Sequence, residues 1–129
     1  MPDPYTLKKL TEVDDSAPKF GFGEIQESRF AMGDLQAEET GVAHHRLNSG
    51  RRQPFAHRHD QAEEVNVILS GSGRVKLDDE IVDLQTLDAL RVAPGVTRCF
   101  EAGADGLEFI VFGPHHKGDG EIIQGWWTD

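Results

Sequence analysis

Residues 57–77 decide the fold class, and they read HRHDQAEEVNVILSGSGRVKL. Apolar and polar side chains alternate with a period of two in Val65–Ile68 and again in Arg74–Leu77, which is the pattern of a β-strand with one buried face. Gly71-Ser72-Gly73 separates the two segments and is a turn signal, because glycine adopts a positive φ without a steric penalty. This stretch therefore predicts two strands joined by a turn.

Short apolar segments of the same kind continue on both sides of this stretch, and turn formers such as Pro94-Gly95 and Asp105-Gly106 lie between them. No segment has the amphipathic pattern of a helix of three turns. The predicted strand segments are Gly41–Leu47, Glu64–Leu69, Arg74–Leu77, Glu80–Leu84, Ala89–Val92, Thr97–Phe100 and Leu107–Phe112. Regularly spaced short strands indicate an all-β fold, and we expect an antiparallel jelly-roll β-barrel with almost no helix.

The composition limits both the size of the domain and its partners. The chain has 129 residues, 37% of them hydrophobic, which is enough for one core. Its formal net charge of -10 argues against a nucleic-acid surface and against docking on an anionic membrane, because both need clustered Lys and Arg. Cys99 is the only cysteine, so no intrachain disulfide can form. Without a signal-peptide pattern or an apolar run of about 18 residues, a cytoplasmic location is expected.

One domain in three parts is predicted. Residues 1–40 are expected to form an N-terminal arm and the first strands, which pack on the barrel; residues 41–113 form the barrel core; and residues 114–129 form a C-terminal tail. The tail ends in Gly125-Trp126-Trp127-Thr128-Asp129, and two adjacent tryptophans would expose much apolar area in solvent. We therefore expect the tail to pack on the barrel or on a partner subunit. Together with the apolar outer strands it predicts a homodimer.

His57, His59 and Glu64 form the strongest candidate functional site. His57 and His59 are two residues apart, so on a strand their side chains share one face. Glu64 begins the next apolar segment, and a neighbouring strand can bring its carboxylate to the same point. Two neutral imidazoles and one carboxylate form a facial triad, which suits divalent Fe, Mn, Ni or Zn and leaves coordination positions open for a substrate. The alternative is a pair of histidines on an exposed strand edge, which does not account for Glu64 and Gly71 at their spacing.

This spacing resembles the first motif of the cupin superfamily, written G-x5-H-x-H-x3,4-E-x6-G. The matching residues are Gly50, His57, His59, Glu64 and Gly71, with one extra residue between Gly50 and His57. The resemblance extends over about residues 41–112. It implies a small single-domain cupin, that is, a double-stranded β-helix barrel with a metal site at its mouth.

The second cupin motif, G-x5-P-x-G-x2-H-x3-N, is matched only in part. Gly95 is kept and Pro94 directly precedes it, where the motif has one residue between proline and glycine; Leu87 stands in place of the opening glycine and Ala102 in place of the asparagine. Arg98 stands where the resemblance implies a histidine as fourth ligand. A guanidinium has no lone pair for a metal. At about 5 Å from a dication, with an effective dielectric constant of about 20, it would be repelled by roughly 6 to 7 kcal/mol.

Two roles for Arg98 stay open. In the first, the three ligands still hold a metal and Arg98 points at its open positions, where it anchors a carboxylate of the substrate. In the second, Arg98 pairs with Glu64 and replaces the metal. His45 shares a strand face with Ala43 and Leu47 and is a second candidate for substrate binding, with plain packing as the alternative. Cys99 should face away from Arg98 and serve as inert packing.

Three classes of function are open. The first is a metal-dependent enzyme of the oxygenase, isomerase or decarboxylase type that acts on a small anionic molecule. The second is a non-catalytic module that binds a small molecule through Arg98 and the histidines, with a metal-free or vestigial site. The third is a structural dimer. The fold does not choose among them, because function resides in the site; metal content separates the first class from the others.

Overall fold

The computed structural model describes residues 3–129, which form eight β-strands and two 3-10 helices. The helices are Leu10–Glu12 and Pro18–Phe20. The strands are β1 Gln26–Phe30, β2 Thr40–Leu47, β3 Ala56–His59, β4 Glu64–Leu77, β5 Glu80–Gln85, β6 Ala89–Val92, β7 Arg98–Pro114 and β8 Gly120–Ile123. The predicted all-β class with almost no helix is confirmed. Across residues 3–129, no helix combines the length and the apolar character that a membrane crossing requires.

The strands form one antiparallel sheet that folds over into two layers. The first layer has the strand order β1-β2-β7-β4-β6, and the second has the order β8-β3-β7-β4-β5. β4 and β7 belong to both layers: residues 65–71 of β4 pair with residues 107–112 of β7 in the first, and residues 73–77 pair with residues 98–102 in the second. A curled antiparallel sheet of this kind is the predicted jelly-roll barrel.

The bends in β4 and β7 correct the predicted strand boundaries. The sequence predicted separate strands on either side of Gly71-Ser72-Gly73, but β4 runs through this segment, with register shifts against β7 at residues 68–70 and 71–73. β7 likewise runs through Asp105-Gly106. Gly71 and Gly106 have φ of +78° and +79°, and a Cβ on Gly71 would lie 2.1 Å from the carbonyl oxygen of Gly106. A glycine with positive φ marks a bulge as well as a turn, and here it bends the strand without reversing it.

The apolar core lies between the two layers, and polar side chains collect at one open end. Phe100 and Phe109 come from different halves of β7, and their rings stack with centroids 4.5 Å apart. On the same inward faces, Glu64 lies four residues before Ile68 in β4, and Arg98 lies two residues before Phe100 in β7. Glu64 and Arg98 therefore lie together at this end of the barrel, which we call the mouth.

The two ends of the chain pack on the outside of the barrel. In the arm, Val13 is buried, and the amide of Ser28 in β1 donates a hydrogen bond to Oδ1 of Asp15. In the tail, Trp127 is buried, the guanidinium of Arg52 lies 3.9 Å from its ring, and Nη1 of Arg52 donates to the Trp127 carbonyl at 2.8 Å. The tail tryptophan is thus covered by its own chain.

Candidate metal centre

Three side chains with metal-binding atoms come together at the mouth. His57 and His59 lie on β3, and Glu64 begins β4. One ligand atom of each residue lies within 4.8 Å of the others. His57 Nε2 is 3.9 Å from Glu64 Oε1, and His59 Nε2 is 3.5 Å from Glu64 Oε2. All three side chains are partly exposed, so the group opens to solvent.

The donor set and its spacing fit one divalent ion. A metal with bonds of about 2.0 to 2.2 Å holds adjacent ligand atoms about 3 to 3.4 Å apart. The separation of 3.5 Å between His59 Nε2 and Glu64 Oε2 is close to this spacing, whereas the 3.9 Å from His57 Nε2 is measured to the other carboxylate oxygen, Oε1. Two imidazole nitrogens and one carboxylate are a common set for divalent first-row metals. These three residues are therefore able to hold a metal ion.

Arg98 lies directly opposite His57 in the β3–β7 ladder and is only 1% exposed. Its Nη2 donates to Glu64 Oε1 at 2.5 Å, and its Nη1 donates to the carbonyl of Val96 at 2.8 Å. This is the pairing described above as the second role for Arg98. The other carboxylate oxygen, Glu64 Oε2, still faces His59, so one oxygen is left for a metal ion.

The electrostatics of the mouth favour the forms of the side chains that bind metals. Burial raises the pKa of Glu64, but contact with His57, the charges of His59 and Arg98 and the hydrogen bond from Arg98 outweigh it, so the pKa falls to about 2. Desolvation lowers the pKa of His59. An ionised carboxylate and a neutral imidazole are the states that donate electron pairs to a metal.

Asp119 lies behind His59, and no motif in the sequence marks it. Its Oδ2 is 3.5 Å from His59 Nδ1, and its carboxylate accepts hydrogen bonds from the backbone N–H groups of Gln61 and Ala62 at 2.7 and 3.1 Å. A carboxylate in this position orients a ligating imidazole. No spacing in the sequence signals this contact, because it forms only when β8 pairs with β3.

His45 faces inward from β2, on the layer opposite His57. Its Nδ1 lies 3.0 Å from Ser28 Oγ, and its ring packs between Phe30 and Phe109. It is not part of the group whose ligand atoms converge. Burial, together with the charge of His57, lowers its pKa to about 4, so the ring is neutral at pH 7. His45 therefore supplies an uncharged polar group to the barrel wall.

Asn66 is a second polar residue of this wall, and it was also missed from the sequence. It lies between Glu64 and Ile68 on the inward face of β4 and is 3% exposed. Its Nδ2 has no hydrogen-bond partner among the described residues. A buried amide without a partner is uncommon in folded proteins, and a bound oxygen acceptor would satisfy it.

Cys99 faces away from the mouth. It packs with Ala56 and Trp127 in a small cluster on the outside of the second layer. Desolvation raises the pKa of its thiol to about 11, so it carries almost no thiolate at neutral pH. A cleft of about 390 Å³ lies elsewhere on the barrel, and its lining, which includes Arg46 and Ser70, contains none of the candidate ligands.

Comparisons with known proteins identify the fold. The family model described as Cupin domain matches residues 43–112, which is more than half of the chain. A solved cupin protein from Bacteroides fragilis is 25% identical, with a TM-score of 0.70 over 97% of this chain and 92% of that chain. Polyketide cyclase from Streptomyces resistomycificus is 16% identical, with a TM-score of 0.75 over 96% and 87% of the two chains.

Oxalate decarboxylase from Bacillus subtilis is 18% identical, with a TM-score of 0.71 over 90% of this chain and 32% of that chain. At these identities, the similarity to the cyclase and to the decarboxylase shows the fold alone. A comparison with curated proteins found no match.

Proposed function

This chain belongs to the cupin family, and on that premise we propose that it is a metal-dependent enzyme acting on a small anionic molecule. His57, His59 and Glu64 would hold one divalent Fe, Mn, Ni or Zn ion. The observation that carries the proposal is the convergence of their ligand atoms, within 4.8 Å of one another, at the open mouth. When bound, such an ion supplies Lewis-acid activation of a coordinated oxygen and a template for the substrate.

The charges at the mouth support an anionic substrate. The Glu64 carboxylate shares its charge with the buried guanidinium of Arg98 through the bond of 2.5 Å. A dication added to this pair leaves the mouth with a net positive charge, which Asp119 offsets only in part. An anion at the open coordination positions would thus gain from the ion and from Arg98, without having to displace Arg98 from Glu64.

The neighbouring residues have distinct roles in this proposal. Asp119 orients His59, and Arg98 holds one oxygen of Glu64 so that the other is directed at His59. His45, neutral and on the facing layer, exchanges a hydrogen bond with the bound substrate in this proposal. Solved neighbours that include a polyketide cyclase and an oxalate decarboxylase support an enzymatic use of the fold.

A non-catalytic binding module is the second candidate, and the Arg98–Glu64 ion pair favours it. If this pair is strong enough to exclude a metal, the mouth is a metal-free pocket.

Metal titration separates the two candidates. For the enzyme we expect calorimetric binding of one divalent ion per chain, with at least tenfold weaker binding in His57→Gln and in Glu64→Gln. His115→Gln, a change in an exposed loop, is the control and should bind like the parent. No binding by the parent chain would reject the metal site.

We also propose that the chain forms a homodimer through the outer face of the first layer. Val42, Phe112 and Val65 lie side by side across β2, β7 and β4, and Phe112 is 39% exposed. An apolar row on the outside of a sheet is typical of a subunit interface. Phe112→Asp should therefore halve the mass measured by light scattering. Ile81→Asp, at a comparably exposed position on β5, should leave the mass unchanged.

A further inference from the structure

Phe30 and Ile122 are exposed apolar side chains on the inward faces of the barrel, one on each layer. Phe30 lies two residues after Ser28 and so on the same face of β1, and the Ser28 hydroxyl contacts the inward His45. Phe30 is nevertheless 60% exposed. The Phe30 ring meets the His45 ring edge-on, with centroids 5.6 Å apart. Phe30 therefore lies where the aromatic packing of the barrel interior reaches solvent, although an inward apolar side chain is normally covered.

Ile122 is the corresponding residue on the second layer. It lies directly opposite His57 in the β3–β8 ladder, so the two side chains share a face, yet Ile122 is 59% exposed. It therefore stands beside a candidate metal ligand, on the inward side of the edge strand. Ile122 thus flanks the metal-binding group from the second layer, and Phe30 lies on the first layer beside His45.

The inward face of the first layer also offers a hydrogen-bond donor. Phe30, Ala43, Val111 and Asn66 form one lateral row across β1, β2, β7 and β4, all on the inward face. The buried Asn66 amide nitrogen in this row has no partner among the described residues. Asn66 is two residues from Glu64 on the same face of β4, so this donor lies next to the metal-binding group.

From these positions we infer that the substrate is a carboxylate with a flat apolar body of the benzoate type. This inference rests on the proposed metal function, because the carboxylate is assigned to the metal ion. The ring packs on Phe30 and Ile122, and an oxygen of the occupant accepts the Asn66 hydrogen bond. A short-chain carboxylate such as acetate reaches the same ion but leaves both apolar side chains exposed.

The test compares benzoate with acetate by calorimetry on the metal-loaded full-length protein. We expect benzoate to bind about tenfold more tightly than acetate, since burying a ring against two apolar side chains is worth about one decade of affinity. Phe30→Ser and Ile122→Ser should each reduce that preference several-fold and leave acetate affinity unchanged. Phe20→Ser and Ile81→Ser are the matched controls, because these apolar residues are also exposed but do not lie on the inward faces of the barrel, and both should keep the preference.

Equal affinities for benzoate and acetate would overturn the inference, and so would a preference that survives both mouth variants. A metal titration without organic ligand is run in parallel. If the metal binds and benzoate shows no preference, the proposed metal site stands and the substrate class is wrong. If the metal does not bind but benzoate binding depends on Phe30, the apolar binding surface at the mouth is supported and the proposed metal-dependent function is rejected.

Discussion

Arg98 lies directly opposite His57 across the β3–β7 ladder, and its guanidinium reaches the Glu64 carboxylate at 2.5 Å. A permanent cation therefore holds one of the three candidate ligands. A metal ion must share Glu64 with Arg98 and tolerate its charge, so affinity for the metal and the strength of the ion pair are opposed.

Replacing Arg98 should strengthen metal binding. Arg98→Met removes the positive charge and frees Glu64, and Arg98→His also adds an imidazole at a position that faces His57. We expect the affinity for divalent ions to rise in the order parent, Arg98→Met, Arg98→His, with at least about tenfold between parent and Arg98→His. Calorimetric titration of each protein measures the order.

The intermediate variant makes the test specific. If Arg98→His binds no better than Arg98→Met, the new imidazole does not coordinate the ion. If neither binds better than the parent, Arg98 does not oppose the metal and this description of the mouth is wrong. Melting curves of both variants show whether loss of the buried ion pair has unfolded the barrel.

Leu87 stands in place of the opening glycine of the second cupin motif, and its backbone conformation predicts a stabilising change. Its φ is +71°, in the left-handed region that disfavours side chains, and its own side chain is 78% exposed. Leu87→Gly relieves the strain and loses little packing, so the free energy of unfolding should rise by about 0.5 to 1 kcal/mol. Leu87→Ala keeps a Cβ, and with it the strain, and should not stabilise. Thermal melting of the parent and the two variants measures these differences. A lower melting midpoint in Leu87→Gly than in the parent would show that Leu87 is not strained.

The sequence predicts the convergence of His57, His59 and Glu64 better than it predicts the strand boundaries, and the reasons are local. The spacing of His57, His59 and Glu64 is counted along the sequence. It therefore does not depend on where each predicted strand begins or ends. The bends at Gly71 and Gly106 were interpreted as turns, because a single sequence does not distinguish a glycine that reverses a chain from one that kinks it.

Other features have no sequence signal because they arise from pairing. β1 was not located, since its inward residues Gln26 and Ser28 are polar and produce no hydrophobic alternation. Asp119 reaches His59 only through the antiparallel pairing of β3 and β8. The bond between Arg98 and Glu64 is one of the two roles that the sequence left open for Arg98; it depends on the two layers facing each other, and no spacing in the sequence chooses it.

The thiol of Cys99 should be unreactive as long as the tail is docked. It is 2% exposed beneath Trp127, and burial raises its pKa to about 11. At pH 8 we expect its reaction with a disulfide reagent to be at least about a hundredfold slower than in denaturant, since only the thiolate reacts. Trp127→Ala should accelerate the native reaction markedly, whereas Trp126→Ala should have a smaller effect. Equal rates in native and unfolded protein would contradict this burial.

His45 should make the metal-free barrel less stable as the solution is acidified. Its pKa is lowered from 6.5 to about 4, chiefly by burial, so between these values the unfolded chain takes up a proton that the folded chain does not. The free energy of unfolding therefore falls as the pH drops from about 6.5 to 4, by an amount on the order of 2 kcal/mol.

In His45→Asn the side chain does not titrate, and an amide can still contact the Ser28 hydroxyl. Denaturant unfolding in chelator at several pH values gives the slope for each protein. Loss of Glu64 or Glu108 ionisation at lower pH affects parent and variant alike, so the difference between the two slopes isolates His45. Parallel curves for the two proteins would show that His45 is not held neutral in the barrel wall.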